Sequence, residues 1–244
     1  DFSLVYCHGW YEKMIETGFD KSRLAVQINP VDEKIFETKE MTQREKEFYT
    51  ADIAFPGNYQ RPEKDLASMI LACTGNMQND ADKSKITNVL ISTYEIFKSK
   101  ISNNELVCQV EECESVINEL AMLLEINIPN TLVKDLARMF FQPVLCNLYR
   151  KMTLKWLIDA GFQVKLWGLG WDTDPDFKAH AAGVLKHGDE LAKMYSCTKI
   201  VPGGFFWLSA HARSWESTSC GALFMARNIP SQFDFANIRD CFTE

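Results

Sequence analysis

The sequence predicts an α/β fold: a Rossmann-like parallel sheet that carries a long helical insertion. Three observations carry that expectation. Short apolar runs alternate with helical stretches before Pro62 and again after Gly161. Two of those runs end in glycine turns, Pro56-Gly57-Asn58 and Gly168-Leu169-Gly170. Between Glu63 and Ala160 the pattern is almost wholly helical. Alternating β and α units favour a parallel sheet, because parallel strands need crossovers and those are usually helices.

Taken in order, Trp10 to Thr17 reads as a helix stopped by Gly18, Leu24 to Ile28 as a strand, and Thr42 to Tyr49 as a charged helix. Ile53 to Phe55 is a short apolar strand, and Pro62 suits the first turn of the helix that follows, Glu63 to Cys73. Ser84 to Lys100, Glu105 to Glu125 and Leu132 to Ala160 continue the helical stretch, the last kinked at Pro143. Within Glu105 to Glu125, the apolar set Val116, Ile117, Leu120, Leu123 and Leu124 recurs at helical spacing and predicts a core-facing stripe. Glu111, Glu112 and Glu114 are assigned to a solvated face. Beyond Gly161, Phe162 to Trp167 is a strand, Asp189 to Tyr195 a helix, Thr198 to Val201 a strand, His211 to Cys220 a helix and Leu223 to Ala226 a strand. The expected organisation is therefore the end of one domain and a crossover over residues 1–50, then a second domain over 51–244 interrupted by a helical insertion at 63–160. That insertion is expected to be packed and remote from any ligand chemistry, since it lacks glycine turns and phosphate-type residues.

Composition narrows the function. The chain has 244 residues and a formal net charge of -7, which argues against an extended nucleic-acid surface but leaves room for a small basic pocket. Its eight cysteines are scattered, with no CxxC pair and no histidine at ligand spacing. No metal site is expected, and the thiols read as reduced core residues of a cytoplasmic protein. The most apolar stretch, Val116 to Ile128, contains Glu119 and Glu125 and is too short to span a bilayer. No transmembrane segment or signal peptide is expected, and both ends read as cut from something longer.

The sharpest constellation is His211-Ala212-Arg213-Ser214-Trp215-Glu216, closing at Cys220-Gly221. It follows the Thr198 to Val201 strand and opens a helix, the place beyond strand carboxyl ends where open α/β sheets bind ligands. Backbone N–H groups at a helix start and the planar fork of Arg213 both suit phosphate oxygens. Arg213 and Glu216, three apart, share a helix face, so a carboxylate could accept ribose hydroxyls while the arginine holds a diphosphate. The alternative is a surface ion pair with a capping histidine. Gly168-Leu169-Gly170 is a lone GxG, and Asp172-Thr173 stands where a dinucleotide fingerprint needs its third glycine. His180 and His187 read as solvent-facing, and Trp167, Trp171, Trp207 and Trp215 as core.

The run Lys165 to Trp171, then Gly183 to Tyr195 (GVLKHGDELAKMY), Lys199-Ile200-Val201 and His211 to Leu223 resembles the C-terminal, nucleotide-sugar-binding domain of bacterial GT-B glycosyltransferases, in the branch that includes spore-maturation glycosyltransferase-like proteins. Asp52 to Tyr59 (DIAFPGNY) resembles the first strand and glycine turn of that domain. The resemblance covers Asn29 to Gly57 and Phe162 to Gly221, and is poor in the helical stretch between. It implies a metal-independent hexosyltransferase with no cofactor, taking a nucleotide-diphosphate sugar, UDP-linked, to an unknown acceptor: protein, lipid or glycan. It assigns Glu216 to the ribose, His211 and Arg213 to the diphosphate, Gly183-Val184-Leu185 to the base through backbone groups, and Gly57-Asn58 to the neighbourhood of the phosphates. No catalytic residue is named. Leu208 stands where many retaining relatives carry a second glutamate, so retaining and inverting outcomes both stay open. The acceptor domain is nearly absent from the chain, so incomplete catalysis is expected, and a non-catalytic module that retains the donor pocket is the alternative function.

Overall fold

The computed structural model describes residues 3–5, 11, 14–26, 31–105, 109–203 and 212–226. Its class is the α/β, Rossmann-like one that the sequence predicts, and every described strand pairing is parallel. The chain divides into two compact units, one of Ala51–Leu185 and Gly204–Trp207, the other of Asp1–Thr50, Lys186–Gly203 and Leu208–Glu244. The change at Leu185 has no counterpart in the sequence pattern.

In the larger unit, β3 (Ala51–Pro56), β4 (Val164–Trp167) and β5 (Ala181–Gly183) lie side by side, with Ile53 opposite Val164, Pro56 opposite Trp167, and Leu166 opposite Ala181. A bulge between Leu166 and Trp167 shifts the last register, bringing Trp167 opposite Gly183. Ala51, Ile53, Ala54 and Phe55 are all buried. A near-continuous apolar run of this kind suits a parallel strand covered on both faces, where an alternating one would suit a half-exposed strand.

The insertion between β3 and β4 forms α2 (Pro62–Thr74), α3 (Asp80–Ser102), α4 (Val110–Leu123), α5 (Asn130–Met139) and α6 (Cys146–Asp159). Pro62 opens α2, where its missing N–H costs nothing. Asn79 caps α3 by accepting from the N–H groups of Ala81 and Asp82. The helices close over a core that includes Val89, Leu90, Phe97, Ile117, Val133 and Phe140. Burying each such aliphatic or aromatic side chain contributes about 1.5–3 kcal/mol.

The helical run from Leu132 to Ala160 carries its expected irregularity at Pro143: Phe140–Leu145 forms a π-helical turn that joins α5 to α6 without a break. Proline lacks an N–H and its ring collides with the carbonyl four residues back, so the helix widens for a turn there. One expectation is corrected: Leu123 leaves the predicted stripe and is 78% exposed, while Cys113, Val116, Ile117 and Ala121 are buried and Leu120 and Leu124 pack beside them. Leu123 is the last residue of α4 and lies in line with Val116 at the margin of that face, about a third of a turn from Ile117.

In the smaller unit, β1 (Ser3–Val5) pairs with β2 (Leu24–Val26), and β6 (Thr198–Pro202) with β7 (Leu223–Met225). Helix α1 (Gln43–Tyr49) starts with a full capping box: Thr42 accepts from the Glu45 N–H, and the Glu45 carboxylate accepts from the Thr42 N–H. Helix α7 (Asp189–Ser196) leads into β6, and α8 (Ala212–Ser219) into β7. Helix α8 stops in a Schellman motif, with Ala222 N–H donating to Ser217 O, Gly221 N–H to Thr218 O, and Gly221 at φ +92.

Burial pushes the Cys113 thiol up to about 12 and those of Cys146 and Cys220 up to about 11. These act as core residues rather than nucleophiles. Cys7, Cys108 and Cys241 lie outside the described residues. No described helix is long and apolar enough to cross a membrane.

Candidate functional site

The sequence-predicted residues fall into two groups, one in each unit. In the larger unit, β3 and β4 end side by side and their glycine turns are stitched together. Gly57 N–H donates to Trp167 O at 2.7 Å, Tyr59 N–H to Leu169 O at 2.9 Å, and Leu169 N–H to the Asn58 side-chain oxygen at 2.9 Å. Gly168 N–H in turn donates to Gly183 O at 2.7 Å. A Cβ on Gly168 would stand 2.5 Å from Gly57 O, and Gly168 has φ +133. Glycine is therefore required there by close approach and by backbone conformation together.

The Gly57 N–H is taken up in this stitching, so Gly57 contributes the shape of the turn. Gly183 likewise gives its carbonyl oxygen to the neighbouring turn, while Val184 projects into solvent.

The turn after β3 is also held from behind by the insertion. Arg150, on α6, donates through Nη1 to Asn58 O at 2.8 Å and to Asn147 Oδ1 at 3.1 Å, and its guanidinium lies over the Phe55 ring. Asn147 donates to Asp65 Oδ2 at 2.7 Å, and Gln60 Nε2 donates to Asp65 Oδ1. Burial raises the Asp65 pKa against the lowering effect of those two hydrogen bonds. Helix α6 of the insertion thus touches the glycine turn directly.

A second network braces the far side of the β4 turn. Tyr59 donates its hydroxyl to the buried Asp174 carboxylate at 2.9 Å, with Arg61 Nε at 3.6 Å and Lys151 Nζ at 3.7 Å from the same oxygen. Trp171 stacks on Tyr59 and donates its indole N–H to Gly57 O. Trp167 and Trp171 are core residues, as expected. Trp207 lies outside the described residues.

In the smaller unit the decisive group is Glu216. It lies on α8, one turn after Arg213, and is 8% exposed. The surface ion-pair alternative therefore does not describe it. Tyr195, on α7 and itself buried, donates its hydroxyl to Glu216 Oε2 at 3.2 Å. His187 Nε2 lies 3.3 Å from Glu216 Oε1, and the imidazole meets the Phe36 ring edge-on. Burial pushes the Tyr195 hydroxyl pKa up, the Arg213 charge pulls it down, and the Glu216 charge pushes it up again. The net direction is upward, so Tyr195 remains a donor throughout the usual pH range.

Arg213 is partly buried on the same helix, and His211 lies outside the described residues. The sequence pattern found Arg213 and Glu216 but gave no role to Tyr195, although both stand in the motif-bearing stretch. It set His187 aside as solvent-facing. Its side chain is indeed 73% exposed, yet one ring nitrogen reaches the carboxylate. Among the described residues, no three His, Cys, Asp or Glu side chains gather to hold a metal ion.

Comparison with known proteins gives no match to a family model, a curated protein or a solved structure.

Proposed function

We propose that the chain is the donor-binding part of a bacterial, cytoplasmic GT-B-type glycosyltransferase, taking a UDP-linked sugar and passing the sugar to an acceptor. The observation that carries this reading is Glu216: a buried carboxylate, hydrogen-bonded by Tyr195, on a helix that also bears Arg213. Carboxylates are rarely buried without partners, and this one keeps lone pairs that can accept the hydroxyls of a ribose. Arg213 supplies the fixed positive charge that a departing nucleoside diphosphate needs. The free thiols among the described residues, with Cys113, Cys146 and Cys220 buried, suit a reducing compartment.

A melting series with UDP, GDP, ADP and UDP-glucose tests the reading. A ligand at about 100 times its Kd stabilises by about 2.7 kcal/mol, which such a series detects readily. Stabilisation by a nucleoside diphosphate and not by inorganic diphosphate is the expected result. No stabilisation by any nucleotide at millimolar concentration overturns it.

A further inference from the structure

The two oxygens of Glu216 are held by partners of opposite character. Oε2 accepts from Tyr195, which is buried and approaches from α7 inside the unit. Oε1 faces His187, whose side chain is 73% exposed and meets the edge of the Phe36 ring. The hydroxyl of Tyr195 has no route to solvent, so it has no alternative partner in water. The His187 ring can leave Oε1 and hydrate at little cost. One contact is fixed and the other is exchangeable.

We propose that Tyr195 is the positioning residue that turns Oε1 of Glu216 toward ligand, and that His187 is an exchangeable cap on Oε1, displaced when a ribose diol arrives. The proposal rests on the donor-site reading and adds to it the determinant of sugar recognition in the nucleotide. A carboxylate pinned by one oxygen presents the other at a set angle, which suits two vicinal hydroxyls and disfavours a ribose that lacks one. Tyr195 thereby makes the site selective for ribonucleotides over 2′-deoxyribonucleotides. His187 keeps the buried carboxylate partnered when no ligand is present, avoiding the penalty of an unsatisfied charge.

Calorimetry with UDP, 2′-deoxy-UDP and uridine on wild type, Tyr195→Phe and His187→Ala tests this, with each variant checked by thermal melting. Wild type prefers UDP over its 2′-deoxy form by ~10-fold or more, the effect of one hydrogen bond to a charged acceptor. Tyr195→Phe reduces that preference to under ~3-fold, within the range of a weak neutral hydrogen bond, yet still binds UDP more tightly than uridine because Arg213 is untouched. A merely structural tyrosine would weaken all three ligands alike. His187→Ala has the opposite sign: it tightens UDP binding by ~2- to 10-fold, since no cap has to be displaced. Wild-type discrimination in folded Tyr195→Phe, or UDP binding that is unchanged or weaker in His187→Ala, overturns the proposal. Should Tyr195→Phe not fold, the sign of the His187→Ala effect decides alone. A wild type that binds no nucleotide overturns the donor reading and this inference with it, whereas nucleotide binding with wild-type behaviour in both variants removes only the inference.

Discussion

Arg150 Nη1 donates to the carbonyl oxygen of Asn58 at 2.8 Å, joining a helix of the insertion to the glycine turn that follows β3. The same nitrogen donates to Asn147, which holds Asp65, so the turn rests on a polar chain anchored in two helices. The insertion does more than fill the gap between two strands: it sets the position of the turn.

Arg150→Met keeps much of the side-chain volume but removes both hydrogen bonds. Asn58 is exposed and Asn147 half-buried, so water can replace the lost donor, and denaturant unfolding should register a loss of about 0.5–1.5 kcal/mol. Glu111→Ala, at an exposed position of α4 in the same insertion, should leave stability unchanged. Equal behaviour of the two variants would show that the Arg150 contact has no energetic role.

Gly168 and Gly161 separate close approach from backbone strain. Both have positive φ, but a Cβ at Gly168 meets Gly57 O, whereas one at Gly161 meets nothing within 4 Å. Gly161→Ala should cost only the left-handed penalty, about 1–2 kcal/mol. Gly168→Ala adds a collision with backbone that is itself hydrogen-bonded, so its loss should be at least about twice as large on that scale. Chemical denaturation of the two variants compares them directly, and equal losses would mean the stitched turns can move apart freely.

Acid stability has a specific contributor in the smaller unit. The hydrogen bond from Lys193, followed by those from Thr42, lowers the Glu45 pKa from its ordinary 4.5 to about 2. A carboxyl whose pKa falls on folding stabilises the fold above its unfolded value, and that stabilisation is lost as pH drops through the folded one. The window is therefore pH 4.5 down to about 2. Glu45→Gln should flatten the fall in melting temperature across that window and leave the slope between pH 6 and 8 as in wild type. An unchanged acid slope would count against the Lys193–Glu45 bridge.

How much of this could be read from the sequence depends on the range of the interaction. The Thr42–Glu45 box, the Gly221 stop and the apolar run of β3 depend on residues a few positions apart, and the sequence carries their signals openly. Arg213 and Glu216 were legible for the same reason, being three apart on one helix. Arg150 and Asn58 are 92 positions apart, and nothing in the local pattern of α6 marks one arginine as the partner of a distant carbonyl. Tyr195 and Glu216 meet across 21 positions, through the packing of α7 against α8. Leu123 failed for a subtler reason: it obeys helical spacing relative to Val116, yet the buried face is centred on Cys113 and Ile117. Periodicity identifies a stripe, and only packing decides where its edge falls.

The donor site itself is tested by separating Glu216 from Arg213. If Glu216 accepts the ribose hydroxyls, Glu216→Ala removes charge-assisted hydrogen bonds that contribute about 1.5–3 kcal/mol. Affinity for UDP should then fall roughly 10- to 150-fold, since about 1.4 kcal/mol is a factor of ten. Affinity for uridine should fall by a comparable factor, because the ribose is common to both ligands. On the same reading Arg213 meets the diphosphate, so Arg213→Ala should weaken UDP strongly and uridine little. Folding has to be measured beside binding, because Glu216 is buried and hydrogen-bonded to Tyr195. A purely structural Glu216 would leave the Tyr195 hydroxyl without its acceptor, at about 1–3 kcal/mol of stability, with no loss of affinity in the molecules that remain folded. Calorimetry at a temperature where both variants are folded separates the cases, and wild-type affinity for UDP in both would remove the main support for a donor site on α8.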